Sequence, residues 1–251
     1  MAFDLSLFNL AWCGFALLCG GLIKGTLGIG TPLLTVPLMA LVLPPQIAVT
    51  LMALPVVVAN LWQILHAPNL KNTVGRFWPA ALALVLFTWV GTSVLSTINE
   101  QLLLLIVGCF VIAFSVLQIV STRPWLSDHM RTPAGLVFGS MSGFIGGLSS
   151  MFGPMLVIYL VSLRNLGKDD FVGAISFLYI CAVIPWTISL ISVGLLDKPM
   201  FNASLAATLP VVVGLIIGRQ IRNHISNQLF QRLIMMVLLC SGCSMLLQAV
   251  N

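Results

Sequence analysis

Two stretches of this sequence combine glycine, hydroxyl side chains and proline in a pattern suited to holding an anion. The first reads Gly20-Gly-Leu-Ile-Lys-Gly-Thr-Leu-Gly-Ile-Gly-Thr-Pro32, and the second reads Gly143-Phe-Ile-Gly-Gly-Leu-Ser-Ser-Met-Phe-Gly-Pro154. Glycine lets a backbone leave a helix, and proline suits the first turn of the helix that restarts. A restarting helix exposes N–H groups that have no internal partner, and these attract anions. Gly25, Thr26, Gly28, Gly30 and Thr31 in the first break are therefore candidate contacts, as are Gly147, Ser149, Ser150 and Gly153 in the second. Close helix packing is the competing use of such glycines. It is the expected role of Gly21, Gly139 and Gly143, which fall in G-x-x-x-G pairs.

Lys24 is the one Lys or Arg set well inside an apolar stretch. A base at membrane depth is a functional candidate, unless it snorkels to the surface. Asn60 and Gln63, at i and i+3, share one face of an apolar segment, and Trp186 follows the kink residue Pro185. Amide and indole N–H groups can donate to an anion's oxygens. Interhelical hydrogen bonding and interfacial anchoring are the other roles open to them.

Other chemistries lack their residues. No acidic residue lies mid-segment, and His66, His129 and His224 sit near segment ends or in loops. A cation carrier would want a buried carboxylate, and proton coupling usually uses intramembrane Asp, Glu or His. Gly147-Leu-Ser-Ser150 comes near an intramembrane serine protease motif, but no His is available as its base. The expectation is no enzyme, no cofactor and no metal. Cys240-Ser-Gly-Cys243 has neither a second pair nor a nearby His, so it reads as helix packing.

The elements that position these residues follow from composition. Of 251 residues, 59% are hydrophobic and 7% charged, with mean hydropathy +1.11. Soluble domains carry about 25% charged residues, so a cytosolic enzyme, a nucleic-acid binder and a disulfide scaffold are excluded. The net charge of +5 reads as Lys and Arg in cytoplasmic loops. The first residues hold Asp4 and no base, so no cleaved signal is expected.

Ten apolar segments are predicted: 5–23, 31–43, 47–65, 77–97 and 101–121, then 133–148, 153–163, 171–193, 202–218 and 229–249. The second and seventh are too short to span, and the sequence leaves open whether they are re-entrant. Trp62, Trp78 and Trp125 read as belt residues at the cytoplasmic interface.

The chain also repeats itself. At an offset of 122, Gly21, Ile23, Gly25, Pro32 and Leu34 fall on Gly143, Ile145, Gly147, Pro154 and Leu156. At an offset of 127, Gly91, Ile98, Gln101 and Leu102 fall on Gly218, Ile225, Gln228 and Leu229. With both termini outside, nine of the eleven basic residues lie in inside loops, and equivalent loops of the two halves differ in charge. That is the signature of inverted-topology repeats. The expected organisation is a first repeat over 1–121, a cytoplasmic linker over 122–132 and a second repeat over 133–251.

The run from Gly21 to Pro37, with its second copy from Gly143 to Pro154, resembles the TauE/SafE family of membrane anion transporters. The likeness covers essentially the whole chain. Lys24 stands where that family usually has a small residue. Thr31-Pro32 and Ser149–Phe152 replace glycine-rich sequence.

The resemblance implies an all-α polytopic protein of two inverted repeats in the bacterial inner membrane. It implies transport of sulfite, sulfoacetate or related organosulfonates. The anion would sit near mid-membrane between the hairpin tips, and alternating access would rock one repeat against the other. The expected partners are a small anion and the lipid bilayer, with a homo-oligomer open and nucleic acid excluded. An anion channel with the same helix-end site, or a carrier of another small organic anion, would use the same residues.

Overall fold

The computed structural model describes residues 6–27, 30–65, 70–119, 126–163, 166, 168–221, 239–240 and 242–250. Regular structure among them is helical, apart from one isolated bridge between Leu126 and Leu163. The helices are α1 (Leu7–Leu27), α2 (Thr31–Met39), α3 (Pro45–Leu51), α4 (Ala53–Leu65) and α5 (Leu70–Thr97). They continue with α6 (Glu100–Ile119), α7 (Arg131–Ser149), α8 (Gly153–Ser162), α9 (Lys168–Ser192) and α10 (Lys198–Ile221). Among the described residues, five stretches are long and apolar enough to cross a membrane: Leu7–Thr26, Pro45–Leu65, Thr73–Thr97, Gly173–Ser192 and Lys198–Ile221. Most of the last predicted segment, and Trp125, lie outside the described residues.

The predicted segments become helices with adjusted ends. The first runs four residues past its predicted end, which puts Lys24 in its last turn. The third divides at Met52 into α3 and α4. Pro55 is the physical reason, because proline has no N–H to give the carbonyl four residues before it, that of Leu51. Ser204 of α10 compensates. Its hydroxyl donates to the Leu51 carbonyl at 2.9 Å and accepts the Leu54 N–H at 3.0 Å.

The chain forms two compact units, each assembled from separated stretches. One comprises Met1–Pro55, Ile98–Val116 and Pro199–Asn251; the other comprises Val56–Thr97 and Leu117–Lys198. In the first, α1 packs on α2, and α1 and α10 cross through glycines. In the second, α7 lies along α5 and packs on α8, while α9 packs on α5 and α8.

The crossings are alike in detail. In the first unit, a side-chain carbon on Gly21 would strike the Val211 carbonyl, and one on Gly25 the Leu215 carbonyl. In the second, Gly143 meets the Leu84 carbonyl and Gly147 the Thr88 carbonyl. Gly218 meets Leu22, and Gly91 meets Phe144. Each partner in one unit converts to its counterpart in the other by the sequence offsets of 122 for α1 and α7 and 127 for α5 and α10. Offsets read from residue matches alone thus recur as three matched backbone contacts. Gly139 packs in the same way, against Ala80.

These contacts rank the glycines. Gly143→Ala must push α7 off α5 and should lose about 1–3 kcal/mol of stability, the usual cost of overpacking. Gly75 lies in α5 with open space where a side chain would stand. Gly75→Ala should therefore be neutral or stabilising by about 0.5–1 kcal/mol. Thermal unfolding of the detergent-solubilised variants measures both, and equal effects would refute the close crossing.

Candidate functional site

In the first break α1 ends at Leu27 and α2 begins at Thr31; Gly28 lies outside the described residues. Gly30 caps α2 with φ 94, a left-handed conformation that favours glycine, and Pro32 occupies the first turn. The Thr31 hydroxyl is buried with no hydrogen-bond partner among the described residues. Thr35, one turn on, donates to the Thr31 carbonyl at 2.8 Å and to the Ala16 carbonyl of α1 at 3.4 Å. Gly20 leaves the space in which that hydroxyl sits. Trp12 joins α1 to the end of α2 through its indole N–H, donated to the Leu38 carbonyl at 2.8 Å.

Lys24 is 5% exposed, so its side chain does not run out over the surface of the protein. Its place in the last turn of α1 puts a cation at the negative end of the helix dipole. Thr26 is oriented inward to its own helix, donating to the carbonyls of Leu22 and Ile23 at 3.0 Å each. Gly25 is held against α10.

The second break is tighter. Ser150 follows α7 with φ 61, and its N–H donates to the Gly146 carbonyl at 2.7 Å, closing the helix end. The Ser150 hydroxyl is fully buried and has no partner among the described residues. Ser149 is engaged: its hydroxyl donates to the Ile145 carbonyl at 2.7 Å and accepts the Met151 N–H at 3.3 Å. Ser142 donates to the Phe152 carbonyl at 2.6 Å, and α8 restarts at Gly153-Pro154. Gly153 lies against the Tyr179 hydroxyl.

Trp186 is buried and gives its indole N–H to the Gly147 carbonyl at 3.2 Å. Its ring meets Phe152 edge-on, 5.9 Å between centroids. The Phe152 ring fills the space a side chain on Gly146 would need. Asn60 and Gln63 stand on α4 of the same unit. Asn60 is buried and donates to the Val56 carbonyl at 2.7 Å, while the buried Gln63 Oε1 lacks a partner among the described residues.

The structure therefore gathers Lys24, Gly25, Thr26, Gly30 and Thr31 at one break, and Gly147, Ser149, Ser150, Gly153 and Trp186 at the other. Two of their hydroxyls, those of Thr26 and Ser149, are occupied by backbone, and two, those of Thr31 and Ser150, have no partner among the described residues. Sequence reasoning did not single out Thr35, Ser142 or Phe152. The available signal was slight: Ser142 and Thr35 are polar residues within apolar runs.

A family model described as sulfite exporter TauE/SafE matches residues 13–245, which includes both breaks. The chain belongs to the TauE/SafE family. TauE/SafE membership and the apolar helices make it a multi-pass membrane protein of a transporter family, not of an enzyme family. No curated protein and no solved structure matches it.

The left-handed Ser150 yields a prediction independent of transport. A non-glycine residue there carries a cost of about 1–2 kcal/mol. Ser150→Gly should keep or raise the thermal unfolding temperature, whereas branched Ser150→Val should lower it. A loss in Ser150→Gly as large as in Ser150→Val would show that the hydroxyl has a structural role.

Proposed function

We propose that this protein is a secondary carrier of small sulfur-containing anions, such as sulfite, sulfoacetate or a related organosulfonate. It acts in a bacterial inner membrane by alternating access, built on two inverted-topology repeats with both termini periplasmic. The observation that carries the reading is that the buried hydroxyls of Thr31 and Ser150, one at each break in the helices, have no partner among the described residues. Native proteins leave few buried polar groups unpaired, and an anion's oxygen is a partner that such hydroxyls can take. Family membership supplies the transport class.

Each break, taken by itself, offers groups that can hold an anion, with unequal chemistry. The first contributes the Lys24 ammonium, the Thr31 hydroxyl and the N-terminal N–H groups of α2. Gly25, Thr26 and Gly30 shape that backbone, and Gly28, outside the described residues, is proposed as a contact from the sequence alone. The second contributes the Ser150 hydroxyl and the start of α8, held in place by Gly147, Ser149, Gly153 and Trp186. Asn60 and Gln63 add amide groups from α4. Uncoupled carriage, or a proton carried on the substrate itself, fits the absence of mid-segment acidic residues in the sequence.

Titration of the purified protein with sulfite and sulfoacetate tests this. Lys24→Ala should weaken binding roughly ten- to hundredfold, since a charge-assisted hydrogen bond is worth about 1.5–3 kcal/mol. Lys24→Arg should keep part of the affinity, and Lys24→Glu should abolish it. Ser150→Gly should cost about two- to twelvefold, one neutral hydrogen bond. If Lys24→Glu binds like the wild type, Lys24 has no part in recognition.

Topology is tested separately. In a variant lacking the native cysteines, single cysteines at Ser127 and Asn251 should react with an impermeant reagent from opposite sides of the membrane. Reaction from one side would overturn the inverted arrangement.

A further inference from the structure

The matched helix crossings of the two units differ at one end. In the second unit the close contacts between α7 and α5 continue toward the start of α7. A side-chain carbon on Gly139 would strike the Ala80 carbonyl, and one on Gly135 would crowd the Ala80 methyl. The offset of 122 puts Leu17 and Cys13 of α1 at the positions of Gly139 and Gly135, and the offset of 127 puts Ala207 of α10 at that of Ala80. Larger side chains hold two backbones apart where glycine lets them meet. In the first unit the glycine contacts accordingly reach no further than Leu18 of α1 and Val211 of α10. Beyond them the two helices part, toward the end at which both begin.

Among the described residues this gap is left open. A cavity of about 360 Å³ runs along α1 from Asn9 to Leu17 and along α10 from Met200 to Pro210, with Ile47 and Leu51 of α3 as its third side. Small residues face it. A side-chain carbon on Gly14 would meet nothing within 4 Å, and Ala203 and Ala206 stand on the opposite wall. At 1.5 Å per residue these stretches of α1 and α10 rise about 12 and 15 Å, so the cavity is a long slot parallel to the helices. Both helices are long and apolar enough to cross a membrane.

The slot has two unlike ends. Apart from the Cys13 thiol, Asn9 carries the one polar side chain of the wall, and it stands where α1 begins. The far end is closed by Leu17 and Ala207, 4% and 7% exposed. The side is open past the exposed Leu10, Ala203 and Ala206. A polar end followed by hydrocarbon is the order of groups along a lipid. A cavity of about 150 Å³ holds benzene, so this one has room for a chain of about a dozen carbons.

We infer that the slot binds one acyl chain of a membrane phospholipid, with the chain end against Leu17 and Ala207 and the ester end beside Asn9. The site belongs to the first unit alone and does not draw on the anion binding proposed above. An apolar wall gives water no hydrogen bonds, whereas an acyl chain gains contact along its whole length. The chain takes the place of the contact that Gly139 makes with Ala80 in the second unit, and so ties α1 to α10 where their glycine contacts have ended.

The test is photolabelling of the purified full-length protein with phosphatidylglycerol carrying a diazirine on one acyl chain. A free fatty acid with the same diazirine is the second probe. Phosphatidylglycerol should label residues 9–17 and 200–210 above the other lipid-facing helices, and excess unlabelled phosphatidylglycerol should remove that label. Gly14→Leu and, separately, Ala203→Leu put a side chain into the slot from opposite walls. Each should lower the label on those two stretches at least about tenfold, the effect of excluding about two methylenes, and leave the label elsewhere unchanged.

Label spread evenly over the lipid-facing helices, or undiminished in either folded variant, would overturn the site. Labelling by the free fatty acid alone would overturn the assignment to phospholipid. The wild-type pattern is read whether or not a variant folds, and thermal unfolding reports which variants do.

Discussion

Backbone that leaves a helix inside a bilayer must find hydrogen-bond partners within the protein, since lipid offers none. The rest of this structure answers to that constraint. Helices end at Leu27, at Leu51 and at Ser149 and new ones begin at Thr31, Ala53 and Gly153, all within long apolar sequence. At each break, side chains from neighbouring turns or helices take up exposed backbone groups. Ser204 serves Leu51 and Leu54, Thr35 serves Thr31, and Ser142 serves Phe152. The polar residues of this chain are few, and many of them are spent in this way.

Close helix crossing is the second condition. Without a hydrophobic force between helices in lipid, association depends on contact at short range, which small residues permit. Gly21, Gly25 and Gly218 provide it in one unit, and Gly143, Gly147 and Gly91 in the other. Gly147 also presents a carbonyl to Trp186, so one glycine serves the crossing and the break at once. The breaks are thereby mounted on rigid helix pairs. Their two free hydroxyls are held by packing that involves neither of them.

Within this shared frame the two breaks differ in their side chains. Gly30 and Ser150 both take the left-handed conformation, but glycine does so freely and serine at a cost. Ser150 combines that strained backbone with a hydroxyl that has no partner among the described residues. Lys24 and Phe152 give one break charge and the other an aromatic filling.

Much was legible in the sequence because the relevant physics is local or compositional. Apolar fraction fixed a helical membrane protein, since only helices or closed barrels satisfy their backbone in lipid. The glycine runs marked both breaks, and Pro32 and Pro154 marked where helices restart. The offsets of 122 and 127 carried the matched crossings before any contact was seen.

What tertiary structure decided is which polar groups are already used. Thr26, Ser149 and Trp186 look like Thr31 and Ser150 in sequence, yet their donors are taken by carbonyls of Leu22, Ile23, Ile145 and Gly147. The division at Met52 depends on Ser204, far along the chain. Phe152 stood out in sequence only as part of the Ser149–Phe152 departure from glycine-rich sequence, because an aromatic in an apolar run has no local mark of its own. Its importance comes from the bare Gly146 beneath its ring, a contact that exists only once α7 has ended and the chain has turned back.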